Sequence, residues 1–171
     1  MISSLGKYIV NFIIIILAQV LILNNIDFGI YINPFLYLLI ILSLPVNISN
    51  WLLFTTGFIT GLIIDAFTNS IGLHASATVF LCFTRPYILK YFAPRDGYEP
   101  GSLPVPSHFG NAWFFKYILI GITAHHFFLF FTEAFTFTDF TTTLSKIVAS
   151  TIVTSLIIMI AQMFGKRNKR R

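Results

Sequence analysis

The stretch 57–85, GFITGLIIDAFTNSIGLHASATVFLCFTR, decides the fold. It is two apolar runs joined by a short polar link, and it reads as a hairpin of two helices. Gly57, Gly61 and Asp65 recur at i, i+4 and i+8, so they share one stripe of the first helix. Two glycines on that stripe let another backbone approach closely. An aspartate beside them, inside an apolar run, is costly in lipid and must face protein or water. Gly72 and His74 follow at the turn, and Arg85 sits well inside the second run. The stripe of Gly57, Gly61 and Asp65, with Gly72 and His74 at the turn, is therefore the first candidate for partner binding or close helix packing.

Working outward, a membrane-crossing helix needs about 20 mostly apolar residues. On that ruler the chain is an all-α polytopic membrane protein, a single transmembrane domain over 1–171. It has about six spans, at 8–23, 30–44, 51–67, 72–91, 113–131 and 144–164. The apolar run after MISSLGK is too long for a signal-peptide core and lacks a small-x-small cleavage site, so it reads as a retained first span. Asn11 and Gln19 are expected on one bundle-facing side of it. Asn33-Pro34 has the form of an N-cap with proline at the first helical position. The span that follows is short: it extends back through Ile30, tilts, or re-enters. Pro86 should kink the fourth span. Residues 93–111 carry four prolines and read as an extended link.

Composition agrees. Of 171 residues, 56% are hydrophobic and only 10% charged, against about a quarter charged in soluble domains. Mean hydropathy is +0.82. The net charge of +5 is not a nucleic-acid footprint, because five of the eleven basic residues crowd into Lys166, Arg167, Lys169, Arg170 and Arg171. A basic cluster just beyond an apolar span is a lipid anchor on the cytoplasmic side. Lys90 and Arg95 belong on that side, and Asp27, Glu133 and Asp139 on the other, with Lys146 the awkward exception. An even number of spans then places both termini in the cytoplasm.

The inventory for chemistry is thin. The single cysteine, Cys82, excludes an intramolecular disulfide and reads as a small buried hydrophobe. There is no G-x-S-x-G turn, no second intramembrane acid and no phosphate-cradling glycine loop. His125 and His126 point about 100° apart on a helix and do not readily share a metal, even with Glu133 nearby. No cofactor or metal is expected. Helical rise places Asp65 roughly 20 Å from Trp51, in the outer half. A hydrogen bond from His125 or His126 is its expected partner. Arg85, on the inner half, is expected to meet carbonyls freed near Pro86 or to reach the headgroups.

Taken in order, these motifs resemble the MreD family of bacterial rod shape-determining membrane proteins. They are Gln19-Val20-Leu21-Ile22-Leu23-Asn24-Asn25, Asn33-Pro34-Phe35-Leu36-Tyr37, and Gly57-x3-Gly61-Leu62-x2-Asp65 with Gly72-Leu73-His74. Arg85-Pro86-Tyr87, the run from Pro94 to Gly101 and His125-His126 complete the set. The resemblance covers nearly the whole chain. It implies a non-enzymatic subunit of the cell-elongation machinery in the inner membrane. Its partners would be an MreC-like protein, MreB filaments, the RodA glycosyltransferase and its transpeptidase partner, with a homodimer also compatible. The family's fold is similar to the substrate-binding S-components of energy-coupling-factor transporters, which keeps a vitamin-type transport subunit as the alternative. An enzyme built on His125, His126 and Glu133 is a distant third.

Overall fold

The computed structural model describes residues 2–135 and 139–167. Among them the chain is all-helical: α1 (Ile2–Leu21), a 3-10 turn (Leu23–Asn25), α2 (Leu38–Leu42), α3 (Asn50–Thr68), α4 (Leu73–Tyr91), α5 (Pro106–Phe109), α6 (Asn111–Ala134) and α7 (Phe140–Arg167). Four of these regions are long and apolar enough to cross a membrane: Tyr8–Asn25, Asn50–Thr68, Asn111–Ala134 and Phe140–Met163. Of the basic tail, Lys166 and Arg167 end α7, while Lys169, Arg170 and Arg171 lie outside the described residues.

α3 and α4 form the expected hairpin. Ser49 starts α3 by accepting the Leu52 N–H at 3.4 Å, a side-chain N-cap. Asn69 stops it in the left-handed region at φ 53°. Gly72, at φ +75°, then reverses the chain into α4, a backbone state that glycine adopts at little cost. α4 continues through Pro86. α6 packs on α4 and α7 packs on α6.

The second expected span departs from a continuous helix. Only Leu38–Leu42 is helical, and residues 33–37 are not. Even so, Tyr37, Leu38, Ile41 and Leu42 are fully buried. Asn33 lies against Ser150, and Ser43 lies against Gln162, twelve residues farther along α7. That separation is about 18 Å at helical rise. The run therefore threads the bundle centre, with α4, α6 and α7 around it. Its sequence explains the break. Pro34 brings no N–H and biases Asn33 away from helical ψ, while Leu38–Leu42 has no side-chain cap from its own N-cap residue, Tyr37.

α1 is the least embedded helix, and it corrects the expectation for its polar residues. Gln19 is buried, but Asn11 is exposed. Eight residues turn a helix through 800°, so the two positions sit about 80° apart, enough to split them between core and surface. At the opposite end of the bundle from the α3–α4 turn, the proline-rich link is held down by aromatics. Trp113 Nε1 donates to the Phe92 carbonyl at 2.8 Å, and Tyr98 Oη donates to the Leu89 carbonyl at 2.7 Å. Burial pushes the Tyr98 phenol up to about 12, with Tyr117 adding to the rise and Arg85 opposing it. Tyr98 therefore keeps its proton across the physiological range.

Candidate functional site

Many of the buried polar residues, Gln19, Ser150, Thr154 and the three histidines among them, gather around the non-helical run 33–37. Backbone groups at membrane depth must be paired, and a run without helical bonds has to find partners on its neighbours. Here the neighbours supply them. The Asn33 N–H donates to Ser150 Oγ at 2.9 Å and the Phe35 N–H donates to Thr154 Oγ1 at 3.1 Å. Gln19 works both ways: Oε1 accepts from the Tyr37 N–H at 3.4 Å, and Nε2 donates to the Pro34 carbonyl at 3.1 Å. Ser150 and Thr154 went unremarked in the sequence. The signal was there in the hydroxyl residues Ser150, Thr151, Thr154 and Ser155, clustered within an otherwise apolar helix.

Two side chains of this run meet the histidines. Tyr37 Oη lies 3.0 Å from His74 Nδ1 and 2.9 Å from His125 Nε2. The Phe35 ring sits among all three imidazoles, with centroids 5.0 Å from His74, 6.0 Å from His125 and 5.3 Å from His126. His126 is spoken for elsewhere. Its Nδ1–H donates to the Ile122 carbonyl at 2.8 Å, and Nε2 lies 3.5 Å from Thr154 Oγ1. The adjacent histidines diverge as helical geometry requires, yet both are fully buried, because α4 with the threading run covers one and α7 covers the other. Glu133 is exposed near the end of α6, remote from this cluster. Among the described residues no group of three or more His, Cys, Asp or Glu is placed to hold a metal.

Asp65 corrects the sequence expectation. Neither His125 nor His126 is its partner. Its Oδ1 accepts from Ser70 Oγ at 2.6 Å and from the His74 N–H at 3.0 Å, and its Oδ2 accepts from the Ala75 N–H at 2.9 Å. The first amides of a helix lack internal partners, and a carboxylate there also meets the positive end of the helix dipole. Asp65 thus caps α4 from α3. Gly61 makes the reach short enough: a Cβ built on it would lie 2.4 Å from Ala75 Cα and 2.7 Å from the His74 carbonyl oxygen. One turn earlier, a Cβ on Gly57 would lie 2.4 Å from Cys82 Sγ. The stripe faces α4 and is filled by it. Gly61→Leu must therefore push two backbones apart, and we expect a loss of about 1–3 kcal/mol or more, read as a lowered thermal midpoint in detergent. A failed co-purification of that variant would report the hairpin, not a partner surface.

Arg85 is 1% exposed, so it neither reaches the headgroups nor serves carbonyls freed by Pro86. Its Nη2 donates to the Leu44 carbonyl and, at 3.3 Å, to the Pro45 carbonyl. Its Nε donates to Tyr117 Oη at 3.1 Å, which in turn donates to the Leu42 carbonyl at 3.0 Å. These are the carbonyls at and beyond the C-terminus of α2, where a helix presents negative partial charge. In broken-helix transporters such carbonyl ends hold cations. Here a tethered guanidinium takes that place. Asp65 and Arg85 thus serve opposite ends of the bundle, and no ion pair joins them among the described residues.

Outside the core, a shallow apolar groove of about 540 Å³ runs along α3 and α4, lined by Asn50, Trp51, Phe54, Thr55, Phe58 and Val79. Trp51 is 76% exposed at its end, as expected of a tryptophan at a membrane–water boundary. No protein-family model, curated protein or solved structure matches the chain.

Proposed function

We propose that the chain is a non-catalytic scaffold subunit of the cell-elongation (rod shape) complex, resident in the bacterial inner membrane with both termini cytoplasmic. In this reading it binds an MreC-like membrane protein and, through it and MreB, helps organise RodA and the transpeptidase partner. The ordered motifs that resemble the MreD family motivate the proposal. The observation that carries it is how the buried charges are used. Asp65 holds the start of α4 and Arg85 holds the end of the threading run. The groove on α3 and α4 is then the surface we assign to a partner helix, in place of the filled Gly57/Gly61 stripe.

A photo-crosslinking residue at Phe58, in the groove, should capture the MreC-like protein in cells. The same residue at Ile152, 52% exposed on α7, should not. Capture at neither position, or only at Ile152, would refute the surface. The transport alternative draws on one feature, the broken run in the bundle centre beside three histidines. Stabilisation of the purified protein by a member of a vitamin panel would favour it.

A further inference from the structure

The hydrogen bonds at Tyr37 have a direction, and one orphaned atom sets it. His125 is fully buried, and its Nδ1 has no hydrogen-bond partner. A neutral imidazole carries one N–H. A hydrogen on Nδ1 would be a buried donor with nothing to bond, a rarer and costlier defect than a bare lone pair. The hydrogen of His125 is therefore on Nε2, and it donates to Tyr37 Oη. The single O–H of Tyr37 is left to donate to His74 Nδ1. His74 thus stands at the accepting end of the chain. It is also the only one of the three imidazoles with any exposure, 7% beside the α3–α4 turn.

We propose that His74 is a proton-operated latch on the threading run: neutral, it accepts from Tyr37 and ties α4 through that hydroxyl to α6, and a proton taken from water onto Nδ1 turns that acceptor into a second donor and weakens the tie. Two N–H groups then face the Tyr37 oxygen, and its O–H loses its acceptor. Reversing the chain gives no relief, because that would put a hydrogen on the orphaned Nδ1 of His125. The groups facing His74 are few. α3 presents Asp65, whose carboxylate accepts from the His74 backbone N–H and partly offsets the added charge. The threading run presents Tyr37, and α6 presents His125, with His126 beyond Phe35. α7 contributes only hydroxyls to the cluster, and α1 contributes the neutral Gln19. The latch stands apart from the partner surface, so a failed capture at Phe58 does not bear on it.

The test is the helical melt of the full-length protein in detergent at pH 8 and pH 5. The wild-type midpoint should fall by several degrees on acidification. His74→Gln, whose amide still meets Tyr37 but does not titrate, should lose a distinct part of that fall, while His125 and His126, buried as well, keep theirs. His108→Gln, on the exposed link, should keep it. An equal fall in His74→Gln, or no fall in the wild type, overturns the proposal. Nitrogen-15 spectra of histidine-labelled wild-type protein test it without any variant. They should place the His125 proton on Nε2, and a proton on Nδ1 overturns the assignment.

Discussion

Arg85→Met should be among the most damaging single substitutions in this chain, lowering stability by about 3–5 kcal/mol, the range for breaking a buried charged contact from one side. The methionine fills much of the volume but leaves the carbonyls of Leu44 and Pro45, and the Tyr117 hydroxyl, without their donor. Arg85→Lys should recover only part of the loss. A single ammonium cannot reach Tyr117 with one arm and the two carbonyls with another, as the planar guanidinium does. The strongest form of the prediction is chemical rescue. In Arg85→Ala, guanidinium ion at millimolar concentration should raise the thermal midpoint, and sodium chloride of equal ionic strength should not. Equal midpoints for Arg85→Met and wild type would show that the carbonyl end of the threading run needs no cation.

The second large effect is expected at Asp65. Asp65→Leu removes the acceptor for three donors, Ser70 Oγ and the amides of His74 and Ala75. Hydrogen bonds to a charged group contribute about 1.5–3 kcal/mol each. Discounting for non-additivity, we expect a loss of about 3–5 kcal/mol. Asp65→Asn retains one accepting oxygen and should lose about half as much. Stability and partner capture should fall together across this pair, because the carboxylate acts on α4. A well-folded Asp65→Asn protein that no longer engages its partner would mean the carboxylate meets something outside the chain.

The contrast between Asp65 and its expected histidine partner shows what the chain made legible. The helices of the hairpin could be read from residue spacing, because the period of apolar residues and the glycines at 57 and 61 are local signals. That Asp65 must be satisfied within protein was readable for the same reason. Its partner was not. Depth along separate helices says nothing about which faces meet, and the backbone amides of α4 carry no sequence signature. The threading run was harder still. Asn33-Pro34 reads as a helix start, yet the helix begins only at Leu38, and the bonds that make the irregular backbone tolerable come from Ser150 and Thr154, more than a hundred residues away. Asn11 and Gln19 show a simpler cause: α1 buries only a narrow stripe, at Ile16 and Gln19, and about 80° is enough to leave it, whereas Gly57 and Asp65 at the same spacing both meet α4.

The same distant bonds have a consequence for biosynthesis. Ribosomes deliver residues 33–37 to the bilayer long before the hydroxyls that will pair with them have been translated. Until α7 arrives, the amides of Asn33 and Phe35 must be sheltered by water, lipid headgroups or an insertase. The bundle can close only when its last helix is in place, so a nascent chain stalled before Ser150 should be handled by the cell as an orphan awaiting quality control.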